Sequence, residues 1–286
     1  MAPNSLGGRR TRRLRTVGRG VRSSPPVARE RVAQRAVLDL VAQPFSGVED
    51  AHHRLRELLT VFERRGDRRA VFLAIYARMT GAVAAGIADG DFEDPDWVGG
   101  YLVSFADRYR GAVRRYESGR FDSLATPWHL AFAAAERERS LVVQDALLGV
   151  NAHINYDLAL ALVDVGLDGD RERKHRDHAQ VIDVIAGLVD EAQATLAARD
   201  AGGLAALDGS LGRLDEGLTV FTIDECRDSA WRTAVAMHSR FRLRRRFARW
   251  LNATASTGAA HLILGTHASA AVHETLVDLE RSAGDD

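Results

Sequence analysis

Residues 140–166 are the most apolar stretch of the chain, and four polar residues alternate inside it: Asn151, His153, Asn155 and Asp157. A helix apolar on nearly all sides has to be surrounded by other elements, so this segment marks the centre of whatever fold forms. Polar groups placed there need partners, because each one left unpaired costs roughly 1–3 kcal/mol.

The rest of the chain reads as helix around that centre. After Pro26 the apolar residues recur at the helical period and alternating strand patterns are absent. The spacing predicts helices at 28–42, 48–65, 68–88, 95–118, 127–137, 139–166, 171–199, 203–214, 224–252 and 256–281. Gly66-Asp67 separates two of them, Asp94-Pro95 and Thr126-Pro127 read as helix starts, and Gly166 and Gly169 flank the exit from the central one. Gly202-Gly203 reads as a further break. There is no fixed-period repeat and no internal linker long enough to demand a second domain. The expected fold is all-α: a single multi-helix domain of about ten helices over 28–286, around a buried central helix at 139–166.

Composition bounds the function classes. Hydrophobic content of 46% and charged content of 27% are those of a soluble globular chain. No uninterrupted apolar run approaches the ~18 residues of a membrane span, so no transmembrane segment is expected. The single cysteine, Cys226, excludes an internal disulfide framework and a cysteine-rich metal site, and it fits a cytoplasmic location. Any metal would need His, Asp, Glu or Asn ligands. Residues 1–22 hold seven arginines and no acid. Together with Ser23-Ser24-Pro25-Pro26 they read as a disordered basic tail, 1–27, with contact to nucleic acid or an anionic membrane as the alternative. No apolar stretch follows Arg12-Arg13, as a twin-arginine export signal would require. Only one lysine, Lys174, stands among the 39 Lys and Arg residues, so arginine is the default cation here and its clusters signal little.

With residue 151 at 0° and about 100° per residue on an α-helix, Gln144 and Asn155 fall beside Asn151 as one amide stripe. His153, Asp157 and Asp164 form a second stripe on the opposite side. An i,i+4 His and Asp on one face can ligate one metal ion, or Asp157 can orient His153 as a general base. Equally, a buried His–Asp pair can simply pin neighbouring helices. The amides can bond to neighbouring backbone or anchor a ligand.

Other candidates are weaker. Trp128 and His129 open the short helix before the central one, and each can reach the centre or sit on its rim. Tyr76 and Thr80 form an i,i+4 hydroxyl pair on an apolar helix. Arg227, Asp228 and Trp231 start a later helix, as an inward ion pair beside an aromatic or as a cover for its first turn. His175 and His178 lie three apart, with His178 on the apolar stripe. No phosphate-binding Gly-rich loop, Gly-x-Ser-x-Gly, His-Glu-x-x-His, dinucleotide fingerprint or Glu-x-x-His pair is present.

Three stretches carry a resemblance. Phe72-Leu73-Ala74-Ile75-Tyr76-Ala77-Arg78-Met79-Thr80, Asp94-Pro95-Asp96-Trp97-Val98, and Pro127-Trp128-His129 followed by Leu147 to Leu158 with its Asn-Ala-His-Ile-Asn-Tyr-Asp-Leu core resemble an actinobacteria-rich family of helical proteins of unknown function. The resemblance runs from about residue 45 to about 235 and implies an all-α fold and no assigned reaction. A more local pattern, Leu148-Gly149 with His153 and Asp157, is similar to the ligand helix of the zinc-dependent phospholipase C and S1/P1 nuclease group. Those enzymes hold three zinc ions with several such pairs and an N-terminal tryptophan. This chain has one pair and an arginine tail.

The leading expectation is therefore a cytoplasmic helical enzyme with a small-molecule ligand. It would perform metal-assisted hydrolysis of a phosphoester or related ester at His153 and Asp157, with zinc or manganese as cofactor. Asn151, Asn155, Trp128, His129, Tyr76 and Asp228 would be its substrate-side residues. One alternative is metal-free acid–base rearrangement or cyclisation of an apolar metabolite. Another is a non-catalytic binding or scaffold protein with a structural polar core. The sequence does not indicate an oligomeric state.

Overall fold

The computed structural model describes residues 35–137, 140–184 and 223–265, and every regular element among them is helical. The tail 1–27, the expected helix at 203–214, Gly202-Gly203 and the outer parts of three other expected helices lie outside the described residues. The elements are α1 (Arg35–Leu40), α2 (Val48–Glu63), α3 (Ala70–Asp89), α4 (Pro95–Glu117), a 3-10 turn (Phe121–Ser123), α5 (Thr126–Arg137), α6 (Val142–Val150), a π-helical segment (Asn151–Asp157), α7 (Leu158–Val165), α8 (171–184), α9 (Ile223–Met237) and α10 (Arg242–Gly265). They fall in one compact unit, Gln34–Asp286.

Local chemistry explains the boundaries. Asp94 accepts a hydrogen bond from the Trp97 backbone N–H at 3.1 Å, and Pro95 fills the first helical position, where a missing N–H does no harm. Trp97 then donates its indole N–H to the Gly166 carbonyl at 3.1 Å, tying the start of α4 to the exit of the central helix. Asp177, buried on α8, accepts the backbone N–H groups of Glu93 and Asp94 at 2.8 Å each. Nothing in the sequence pattern marked Asp177, because a lone Asp in a charged first turn reads as solvated.

Helices α6, π and α7 run on as one rod through the middle. Leu148, Ala152, Leu158, Ala161 and Leu162 on it are fully buried. One apolar cluster lies over α1 to α6 and includes Phe62, Leu73, Tyr109 and Trp128. The other joins α4, α7 and α9 through Val98, Leu158, Leu162 and Met237. Gly149 lets α3 approach α6 closely, since a Cβ there would overlap the Phe72 ring.

Two helical stretches, Ala70–Asp89 and Val142–Val165, are long and apolar enough to cross a membrane by length and composition. The criterion of an uninterrupted apolar run passes over both, because Arg78 and the alternating polar residues break them. Both contribute buried side chains to the clusters above, as core helices do.

One pair of helices differs from expectation. The break predicted near 253–255 is absent, and the chain turns instead at His238 to Phe241, where the Ser239 hydroxyl accepts the Phe241 N–H. Ser256 and Thr257, just past the expected break, bond back to carbonyls one turn earlier, Ser256 to Asn252 at 2.7 Å and Thr257 to Ala253 at 2.7 Å. Such hydroxyls sit inside a helix without ending it.

We expect Gly149→Ala to lower unfolding free energy by about 1–3 kcal/mol in urea titrations, because the Phe72 ring must leave its packed position. An unchanged midpoint would mean that the α3–α6 contact is loose.

Candidate functional site

The polar centre of the sequence is where the helix changes geometry. Asn151–Asp157 is a π-helix, and the Leu158 N–H reaches the His153 carbonyl five residues back. A π turn holds an extra residue, so side chains beyond it are rotated away from an α-helical extrapolation. Asp164, on the α-helical turns that follow, stays on the Asp157 side, exposed and paired with Arg108.

Helix α10 supplies what the widened turn needs. Asn252 donates to the Tyr156 carbonyl at 2.9 Å, and the Ser256 hydroxyl shares its one proton between the Asn252 carbonyl at 2.7 Å and the Asn155 carbonyl at 3.0 Å. In return Asn151 donates to the Ser256 carbonyl at 2.9 Å and Gln144 to the Ile263 carbonyl at 2.8 Å. Asn155 donates to the Asn151 side chain at 3.0 Å. The amide stripe is thus committed to α10.

The opposite side holds the His–Asp pair. One oxygen of Asp157, Oδ2, accepts the Trp128 indole N–H at 2.7 Å and lies 3.3 Å from His153 Nδ1. A carboxylate accepts, so the proton sits on Nδ1 and Nε2 carries the lone pair. The His153 ring stacks on Phe105, with centroids 3.5 Å apart and planes 5° off parallel. The Tyr76 ring meets its edge at 4.3 Å, and Phe72, Tyr109 and Trp128 complete an aromatic cage. Burial pushes His153 below its ordinary pKa of 6.5, against the opposing pull of Asp157. His153 Nε2 and the Tyr76 and Tyr109 hydroxyls are buried without a hydrogen bond that meets normal geometry. The neighbouring Thr80 hydroxyl still moderates the upward shift that burial imposes on Tyr76.

Asp157 faces two ways. Behind it is the cage, and in front is a groove of about 520 Å³ between α4, the start of α5 and the central rod. Trp128, Tyr156 and Asp157 form one side, and Ser104, Arg108 and Arg115 the other. Arg108 pairs with Asp164, and Arg110 with Asp107. Burial and then the Asp157 charge raise the Tyr156 phenol pKa, and the charges of Arg108, Arg115 and Arg249 oppose that rise. A larger hollow of about 660 Å³ at α8 and α9 is more open to solvent and is lined by exposed Arg171, His175 and Arg176.

The structure thus brings Tyr76, Trp128, His153 and Asp157 together and leaves four other candidates elsewhere. His129 stacks on Phe121 at 5.3 Å on the rim. Asp228 pairs with Arg232 on the α9 surface at 2.8 Å. Asn151 faces α10, and Asn155 lies between Asn151 and Cys226 of α9. His178 is buried, and both its ring nitrogens are engaged. Its Nε2–H donates to the Arg227 carbonyl at 3.2 Å, leaving Nδ1 to accept the Tyr101 hydroxyl at 3.2 Å. Burial, then the Arg227 charge, hold it well below 6.5. Sequence reading missed Phe105 and Tyr109, although their i,i+4 spacing on α4 matches Phe72 and Tyr76 on α3. It also missed Arg108, Arg115 and Tyr156.

The described residues supply two metal donors at the centre and no third. No group of three His, Cys, Asp or Glu side chains converges among them as a metal site requires. Among the described residues, His153 and Asp157 alone do not make a zinc or manganese site, nor the three-ion arrangement of the zinc phospholipase and nuclease group.

Fold and site together define an all-α protein built on a polar, π-helical core segment. The chain belongs to the family of unknown function DUF5995, whose model matches residues 48–266. The match continues past the limit near 235 that the resemblance implied, through α10, whose side chains complete the π turn. No curated protein and no solved structure matches the chain.

Asp157→Ala leaves the Trp128 and His153 N–H groups without an acceptor, so we expect a loss of roughly 2–5 kcal/mol in chemical unfolding. Tyr109→Phe removes a hydroxyl that makes no bond and is expected to change stability by less than about 0.5 kcal/mol, or to raise it. Equal losses in the two variants would contradict the assignment of partners.

His153 and His178 both have folded pKa values below 6.5, so the unfolded chain binds more protons at mildly acid pH. Their contribution is complete above pH 6.5 and is lost as pH falls beneath it, at up to about 1.4 kcal/mol per pH unit for each. Unfolding titrations between pH 7.5 and pH 5, values bracketing the ~6.5 of free histidine, should show stability falling with acid. A flat profile would show that neither ring is held neutral.

Proposed function

We propose that the protein binds a small polar ligand in the groove over Asp157, and that Trp128, Asp157 and His153 form a structural core that holds this carboxylate in place. The observation that carries this reading is the double role of Asp157. Its Oδ2 is held from behind by two N–H groups, neither of which brings a compensating charge, and the residue lines the groove. Across the groove Arg115 offers a guanidinium, joined by that of Arg108, which is shared with Asp164, and such donors suit phosphate or carboxylate. The matching ligand has a hydrogen-bond donor for Asp157 and an anionic group for the arginines.

Metal-assisted ester hydrolysis and metal-free acid–base chemistry draw less support. Both need His153 to face a substrate, and its unprotonated nitrogen points into the aromatic cage behind Asp157. The usual order, with His in front and the carboxylate orienting it, is reversed.

Calorimetric titration of the full chain with phosphoethanolamine, inorganic phosphate and ethanolamine tests the reading. Phosphoethanolamine should bind more tightly than either fragment, and Arg115→Ala, on the exposed rim, should weaken it roughly tenfold, the loss of about one charge-assisted contact. No heat at millimolar probe, or binding indifferent to Arg115, would sink the proposal. Zinc or manganese binding that disappears in His153→Ala would restore the hydrolase reading in its place.

A further inference from the structure

Helix α10 has two opposed faces. Ala248, Asn252, Ser256 and Ala259 are buried against the central rod. On the side directly away from them, Leu243, Phe247, Trp250 and Leu251 are 82%, 59%, 58% and 48% exposed. At about 100° per residue these four fall within roughly 100° of one another, opposite the buried stripe. Their spacing of four, three and one is the pattern of an apolar helix face. Scattered single exposed apolar residues need no explanation, but four on one stripe, two of them aromatic and in contact at 5.6 Å, do.

The flanks of the stripe are cationic. Arg242, Arg246 and Arg249 lie along one edge and Arg244 along the other, all exposed. No acidic residue occurs between Asp228 and Glu274, so nothing along α10 offsets this charge. We infer that the outer face of α10 lies on an anionic lipid surface, with Leu243, Phe247, Trp250 and Leu251 entering the headgroup–acyl boundary and the arginines meeting lipid phosphates.

Geometry favours a membrane over a protein partner. The stripe is one side chain wide on a convex helix and offers apolar area on the order of a few hundred Å². A stable protein interface needs about 800 Å² per partner. A bilayer asks only that a ridge of Trp, Phe and Leu be flanked by cations, which is the composition of helices that lie in the interface plane. Weak single anchors hold proteins reversibly and gain from a second signal. Residues 1–22, with seven arginines and no acid, supply a second cationic element in the same chain.

Tryptophan fluorescence reads this directly. The chain has four tryptophans, and Trp97, Trp128 and Trp231 are buried, so emission quenched by aqueous acrylamide comes from Trp250. The full chain should partition onto vesicles of phosphatidylcholine with about 30% phosphatidylglycerol, less onto phosphatidylcholine alone, and more weakly as salt rises from about 0.1 M to about 0.5 M. On binding, Trp250 emission should shift to shorter wavelength and become shielded from acrylamide. Leu243→Ser with Phe247→Ser should lower partitioning roughly tenfold or more through lost apolar insertion while the melting temperature stays unchanged, since both residues are exposed. Three results would overturn the inference. One is no partitioning onto anionic vesicles at low salt. Another is partitioning unaffected by the double substitution, which would place the contact elsewhere. The third is Trp250 shielding that rises with protein concentration without lipid, accompanied by a dimer in sedimentation, which would assign the face to a second copy of the chain.

Discussion

The Asp157 carboxylate is the interaction on which the centre of the protein depends. One of its oxygens takes N–H groups from Trp128 on α5 and from His153 on its own segment, and charged acceptors make the stronger class of hydrogen bond. Trp128 is among the largest fully buried side chains, and the His153 ring lies flat against Phe105 of α4. Two elements therefore share one carboxylate as their polar contact, and α4 packs against the pair through the Phe105 ring on His153. Remove the carboxylate, and the indole and imidazole N–H groups lose their only protein acceptor among the described residues.

The same segment is held from its other side by a different kind of contact. A π turn is less regular than the α-helix around it and persists where neighbours satisfy it. Asn252 and Ser256 bond to the carbonyls of Tyr156 and Asn155, and Asn151 and Gln144 bond outward to α10. The alternating Asn-x-His-x-Asn-x-Asp pattern is thus the sequence of a helix with two polar neighbours. Amides face one that presents backbone and hydroxyls, and the His–Asp pair faces one that presents an indole.

Much of this architecture is legible in the residues. The all-α class, the central rod and the Asp94-Pro95 start all follow from periodicity and capping, which are local. The break between α9 and α10 is not legible. It turns on whether Ser256 and Thr257 cap a helix or bond back inside one, and only the packing of α10 on the π turn decides that. The site divides in the same way. Pairing of His153 with Asp157 follows from i,i+4 spacing, but the π geometry of the segment that carries them does not, because an α-helical wheel has no place for the extra residue of a π turn. Arg108, Arg115 and Tyr156 stayed hidden for another reason: the groove draws them from α4 and the central rod, 41 residues apart between Arg115 and Tyr156, and spacing carries no information across that distance. His153, the most conspicuous residue of the sequence, is enclosed, and the less conspicuous Asp157 meets the groove.

The inner face of α10 explains why that helix is the element to watch. It buries Ala248, Asn252, Ser256, Ala259 and Ala260, small side chains that remove little apolar surface from water. Its attachment relies more on directional bonds to the π segment than on bulk packing. Directional bonds tolerate little sliding, so an axial shift of α10 has to break the contacts of Asn252 to Tyr156 and of Ser256 to Asn155. Tyr156 lines the groove, and Arg249 on α10 is one of the charges that lower its phenol pKa. The outer stripe, the π turn and the groove are therefore arranged in series through one helix.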